Sequence, residues 1–190
     1  AIPFTLGGDH SISSALLMEV SKAHGPVSLL RFDAHADTGI GSKTQHGAMF
    51  KIAADAGIIN PAKSIQIGLR TPFNSTLGFN TITAVEAMYQ SSKILSERIE
   101  TVIGKSACYV SIDIDCLDPS HAPGTGTPIP GGLTTLQLLE ILRALSGTKL
   151  NIVGLDLVEV ASDYDHAQIT SLAAAQICQE SLCLISETKP

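Results

Sequence analysis

The sequence predicts an α/β fold in three layers, a mostly parallel sheet with helices on both faces. Three observations lead there. Short apolar, β-rich runs alternate along the whole chain with stretches of helical period. At 190 residues and 44% hydrophobic content, the chain can bury one substantial core, so residues 1–190 are read as a single domain. Charged residues gather just after several of the strands, where the loops of open α/β sheets carry their chemistry.

Element by element, the first strand runs from Pro3 to Leu6 and is followed by a helix from Ser13 to Ala23 that Gly25 stops. A strand from Val27 to Phe32 comes next, then a helix from Gly47 to Ala56 and strands from Ser64 to Leu69 and Asn80 to Thr83. Ser91 is placed to cap a helix reaching Ile103, with Gly104 just beyond it, and a strand follows from Ala107 to Asp113. The Gly- and Pro-rich stretch APGTGTPIPGG, residues 122 to 132, follows that strand and reads as a loop. Thr134 caps a helix from Thr135 to Leu145 that ends near Gly147. A strand from Asn151 to Leu157 and a helix from Ala167 to Ile185 complete the pattern.

Composition excludes several function classes. Twelve Lys and Arg against 18 Asp and Glu leave a formal charge of −6, and no basic cluster occurs, which argues against nucleic acid as a partner. No uninterrupted apolar run is long enough to suggest a membrane span, and the first residues lack the pattern of a signal peptide. The expected location is the cytoplasm, or the mitochondrion if a targeting segment precedes Ala1. Cys108, Cys116, Cys178 and Cys183 form no CxxC pair and are expected to be buried thiols.

Three strand ends share a design. TLGGDHS places Asp9 and His10 after the first strand, FDAHAD places Asp33, His35 and Asp37 after the second, and VSIDIDCLDP places Asp113 and Asp115 after the fifth. On extended backbone, residues at i, i+2 and i+4 point to one side, so D-x-H-x-D and D-x-D each aim their groups into one space. Four carboxylates, Asp33, Asp37, Asp113 and Asp115, would repel one another in a shared crevice unless cations neutralised them, and two divalent ions match their charge. With His10 and His35 the set is oxygen-rich and contains no thiolate, which suits manganese better than structural zinc. Such a dinuclear centre activates water for attack on an electrophile. Taken singly, each motif also has a plain structural reading: GGDHS is a glycine turn in which Asp9 and Ser11 compete to cap the next helix.

Beyond these motifs, the sequence resembles the ureohydrolase (arginase and agmatinase) family, and agmatinases most. The resemblance is carried by GGDHS, DAHAD, HGAMF (46 to 50), SIDIDCLDPSHAPGTGTPIPGGL (111 to 133) and DLVEV (156 to 160), with SIQIGLRTPF and AQITSLAAA. It implies one manganese on His10, Asp33, Asp37 and Asp113 and a second on Asp33, His35, Asp113 and Asp115, with Asp33 and Asp113 bridging. It also implies that Glu159 pairs with the substrate guanidinium and that His46 is the catalytic histidine that moves protons, while Asp37 orients the nucleophile. A carboxylate can hold a planar guanidinium by charge-assisted hydrogen bonds, and a histidine is suited to protonate a departing amine. The implied reaction is attack of a metal-bridging hydroxide on agmatine, giving putrescine and urea, in a homo-oligomer. Guanidinobutyrate or arginine is the alternative substrate, and a non-catalytic assembly or regulatory partner the alternative role. His24, His121 and His166 match no family site and are read as surface groups.

The chain departs from the family pattern in Ala36, Ala48 and Ser162, none of them a ligand, and more seriously in length. The resemblance implies an arginase-like sheet of strand order 2-1-3-8-7-4-5-6, of which the six strands here are 3 to 8. On that reading the chain lacks the N-terminal strands, 3-8-7-4-5-6 stays contiguous, and the first strand becomes an exposed edge. Either a longer parent chain or impaired activity is expected.

Overall fold

The computed structural model describes residues 1–39, 46–72 and 75–187. The sheet is built from β1 (Phe4–Leu6), β2 (Ser28–Phe32), β3 (Ile65–Leu69), β4 (Asn80–Thr83), β5 (Ala107–Asp113) and β6 (Asn151–Val158). Its order is β1-β6-β5-β2-β3-β4 and every pairing is parallel, which is the contiguous 3-8-7-4-5-6 order expected from the resemblance. The chain turns outward in opposite directions from β2 and β5, so the switch point lies between these neighbours.

Both faces of the sheet are covered. Helices α1 (Ile12–His24) and α2 (Met49–Asp55) pack Leu17, Val20, Met49, Phe50 and Ala53 against Leu29, Tyr109 and Val153 on one face. Helices α3 (Ala84–Tyr89), α4 (Ser92–Ile103), α5 (Thr135–Leu145) and α6 (Ile169–Glu187) cover the other, where Ile99, Leu142 and Ile177 meet Leu30, Val110, Ile112 and Leu155. Each fully buried aliphatic side chain of this kind stabilises the fold by about 1.5–3 kcal/mol. The strands between the layers are buried on both sides, and β2 and β3 have no exposed residue.

Thr134 and Ser91 cap α5 and α4 as expected, their side chains accepting from the Gln137 and Ile94 amides. Helix α3 is an addition to the predicted elements. Thr83 and Glu86 form a reciprocal capping box at its start, so the TAVE stretch carried the signal. Helix α2 begins at Met49 rather than Gly47. The thiols are all free, but only Cys108 and Cys116 are buried; Cys178, at the margin of the buried stripe of α6, is half-buried against the core, and Cys183 is exposed.

Helix α6 is, by length and composition alone, apolar enough to cross a membrane. Its Ala173, Ala174, Ile177 and Leu184 join the core beside α5, while Leu172 and Leu182 stay exposed. Strand β1 forms one edge of the sheet, and Leu6 at its end is 62% exposed.

Candidate active site

The carboxylates converge through turns rather than through extended backbone. Asp33 is the first residue beyond β2, and its Oδ1 accepts the His35 amide at 2.6 Å. Asp113 ends β5, and its Oδ1 accepts the Asp115 amide at 2.9 Å, opening a 3-10 turn over Ile114–Cys116. Each motif is thus an aspartate-capped turn in which the first carboxylate folds the chain back on itself. That corrects the expectation of side chains alternating along a strand. Asp37 sits at φ 46°, a left-handed conformation rare for a residue with a side chain.

Neighbouring elements clamp both turns. The Ala34 carbonyl accepts from the amides of Arg70 at 3.1 Å and Thr71 at 3.2 Å, and the Ala36 carbonyl accepts from Gln66 Nε2 at 3.2 Å. Gly68, at φ 99° in the bulge of β3, allows this approach: a Cβ there would lie 3.2 Å from the Asp33 carbonyl oxygen. The Arg70 guanidinium donates to the carbonyls of Asp115 (2.7 Å), Leu117 (3.1 Å) and Ile129 (2.6 Å), tying the second turn to the 122–132 loop.

These turns bring the six expected ligand residues together in two clusters. His10 Nδ1 faces Asp113 Oδ2 at 3.0 Å, Asp33 Oδ2 at 3.2 Å and Asp37 Oδ2 at 3.3 Å. His35 Nδ1 faces Asp115 Oδ2 at 2.9 Å and Asp33 Oδ1 at 3.6 Å. His10, Asp33 and Asp113 form one set with ion-binding spacing, and Asp33, His35 and Asp115 form another. Asp33 belongs to both, one oxygen to each, as a bridging ligand requires. Asp113 enters the first set, and Asp37 adds an oxygen on the His10 side. His10 Nδ1 and Asp33 Oδ2 are buried and make no hydrogen bond, a costly state for polar atoms that a shared cation relieves. The residues therefore fit a pair of divalent ions.

Proton affinities reflect the same crowding. Burial, then the Asp33 charge, pushes Asp113 well above the usual carboxylate range and raises Asp37 as well. Asp33 is held well below it although burial works the other way, because Arg31, His10 and His35 favour its ionised form. Against its own burial, the carboxylates of Asp113, Asp33 and Asp37 raise His10 well above the ordinary imidazole value. Asp115 and then Asp33 raise His35 to about 10. An ion binding here has to displace protons from these groups.

A row of polar residues lies beneath the ligands, one on each strand. Asp156 of β6 pairs in register with Ser111 of β5, which pairs with Arg31 of β2, and Gln66 of β3 and Thr81 of β4 continue outward while Thr5 of β1 closes the other end. Ser111 Oγ lies 2.8 Å from His10 Nε2 and donates to Asp156 Oδ1 at 2.7 Å. Asp156 Oδ2 accepts from Ser13 at 2.7 Å and from Tyr109 at 2.8 Å. Burial and the Asp156 charge push the Tyr109 phenol upward, so it remains a donor. Ser111 gives its own proton to Asp156 and is left to accept from His10 Nε2–H, so Nδ1 is the ring nitrogen that faces the carboxylates and would give up its proton to an ion. None of Arg31, Ser111 and Asp156 is marked by a strand-end position; a charge or hydroxyl inside a buried strand was the available signal.

Glu159 and His46 complete the crevice. Glu159 stands just past β6 at φ 64°, and its Oε1 accepts the His10 amide at 2.7 Å and lies 3.6 Å from His46 Nδ1. Left-handed backbone at both Glu159 and Asp37 is the kind of strain that gathers at working sites. The two residues line a cleft of about 160 Å³ with His10, His35, His46, Gly47, Asp113 and Thr127. Thr127, from the 122–132 loop, donates to Asp115 Oδ2 at 3.2 Å. The His46 side chain is 59% exposed, open to whatever enters the cleft. Asp9 remains a turn former that accepts the Ser11 amide, while its neighbour His10 is turned inward. His24 and His166 are exposed, and His121 is half-buried beside Thr135.

Fold and donor set together define an α/β protein with a candidate dinuclear centre at the carboxyl ends of its strands. The chain belongs to the arginase family, whose description matches residues 1–183. It is 46% identical over 189 residues to an agmatinase of Chromobacterium violaceum, covering 97% of this chain and 58% of that one. A crystal structure of a hypothetical agmatinase from Burkholderia thailandensis superposes with a TM-score of 0.94 at 44% identity, covering 97% of this chain and 59% of that one. Proclavaminate amidino hydrolase of Streptomyces clavuligerus superposes at 0.93 with 37% identity, over 98% and 64% of the two chains. The chain thus spans under two thirds of the length of these relatives.

Proposed function

We propose that this protein hydrolyses the guanidino group of agmatine, releasing urea and putrescine, with two manganese ions as its cofactor. The observation that carries the reading is the placement of the Glu159 carboxylate and the His46 imidazole in one cleft with both ligand clusters. The relatives named agmatinase support the choice of substrate.

Held by His10, Asp33, Asp37 and Asp113 on one side and by Asp33, His35, Asp113 and Asp115 on the other, the ions would supply an acidified water and Lewis-acid pull near neutral pH. The chain's own groups do the rest. Glu159 presents Oε1 to the cleft and anchors a planar cation by charge-assisted hydrogen bonds. Asp37, held by its left-handed backbone, directs Oδ2 toward the same space and orients the nucleophile. His46, 3.6 Å from Glu159, carries a proton to the departing nitrogen, which leaves as the amine.

Urea release in the presence of Mn2+ tests this, with agmatine, arginine and guanidinobutyrate compared at equal concentration. Agmatine is expected to give the highest kcat/KM. A higher value for arginine or guanidinobutyrate would overturn the substrate, and no urea from any of them would overturn the reaction.

A further inference from the structure

We propose that Arg31 is a built-in counter-ion of the His10 cluster, balancing part of its carboxylate charge and opposing a divalent ion that enters there. The inference rests on the two-ion reading of the crevice. Arg31 lies in the middle of the sheet with no exposed surface. Its Nη2 is 3.5 Å from Asp33 Oδ2 and its Nη1 is 3.7 Å from Asp37 Oδ2. Those two oxygens are the ones that face His10 Nδ1. The His35 cluster uses the other Asp33 oxygen, together with Asp115. The guanidinium contacts are thus both made to ligand oxygens of the His10 cluster.

Arg70 supplies the contrast. Its guanidinium is consumed by backbone carbonyls, so its work is to hold loops together. Arg31 donates to the His35 carbonyl through Nη2, while its buried Nε and Nη1 have no hydrogen-bond partner. What accompanies it is charge and a ring: the guanidinium carbon sits 4.5 Å above the centre of Phe50, whose edge meets the His10 imidazole. A cation left this unsatisfied in a buried strand is explained by the carboxylates it balances. A fixed unit charge a few ångströms from a divalent ion weakens its binding about tenfold even under water-like screening.

Mn2+ titration of chelator-stripped protein, read by the electron paramagnetic resonance of free Mn2+, tests the role. Wild type is expected to bind in two unequal steps, with His10→Ala removing the weaker one. Arg31→Met should tighten the weaker step about tenfold or more, whereas Arg31→Lys, which keeps the charge, should leave it near wild type. Thermal melting gives a second readout: Arg31→Met should lower the metal-free Tm, and Mn2+ should restore it. An unchanged weaker step in Arg31→Met, or equal weakening in both variants, overturns the proposal. So does a Met variant that fails to fold with and without Mn2+ while the Lys variant folds, since Arg31 would then serve the fold itself. Two equal steps in wild type also overturn it while leaving the two-ion reading intact, and wild type that binds no Mn2+ sinks both.

Discussion

The two ligand clusters share Asp33 and use the same residue types, yet they are built to different standards of rigidity. His10 is buried, with Nε2 held by Ser111 and Nδ1 facing three carboxylates. His35 is 25% exposed, stands on a turn, and takes its orientation from Asp115 and Asp33. One cluster rests on the sheet through the Ser111–Asp156 pair; the other rests on loops that Arg70 and Thr127 tie down. A metal site can thus be preorganised from below, by residues inside strands, or from the side, by loop clamps. The first route leaves less freedom for the ligand to turn away.

The substitution expected to do most damage removes what the clusters share. Asp33→Ala takes an oxygen from each and leaves the Arg31 charge facing a weakened set of carboxylates. Metal analysis should find neither ion retained after dialysis, and urea release should fall by several orders of magnitude. Retention of one ion would mean that the clusters are independent and that Asp33 does not bridge.

A smaller effect should separate the clusters. Asp156→Asn replaces one acceptor oxygen with an amide donor, and Ser111→Ala removes the hydroxyl that holds His10. Each should weaken Mn2+ binding at the His10 cluster about ten- to a hundredfold and leave the His35 cluster unchanged. Ser111→Thr, which restores a hydroxyl, should recover most of the loss if the β-branched side chain keeps the contact. Equal weakening of both steps would show that the row supports the fold generally and not His10 in particular.

How far the sequence spoke for itself differs between the same two regions. The strands, the two capped helices and the six candidate ligands can be read from alternation, caps and strand ends, because those signals are local, whereas the strand order follows only from the family resemblance. The aspartate-capped turns cannot be told from extended chain in the sequence, since D-x-H-x-D is the same in either geometry and only the Asp33 carboxylate taking the His35 amide separates them. The Asp156–Ser111–Arg31 row was invisible for a different reason. Its members are far apart in the chain and become neighbours only through the register of β6, β5 and β2. Helix α3 is legible in its Thr83 and Glu86 capping box, although its six residues are too few to show a helical period.

The mildest expected effect concerns pH, and it bears on the more exposed cluster. Asp115 and Asp33 raise His35 from 6.5 to about 10. A raised histidine stabilises the metal-free fold fully below its unfolded value, and that contribution is lost as pH climbs through the folded one. Asp37 and Asp113 are raised too and act in the same direction, while the lowered Asp33 matters only in acid. The Tm of chelator-treated protein should therefore decline between pH 6.5 and about 10, modestly, because solvent screens a partly exposed pair. An ion needs the unprotonated Nδ1, so the Tm increment produced by Mn2+ should grow over the same window. His35→Asn should reduce both trends and leave the part that the raised His10 contributes, whereas Ser111→Ala, acting on the buried cluster, should leave the His35 part in place. An increment that stays constant with pH would mean that His35 gives up no proton to the ion and lies outside the metal site.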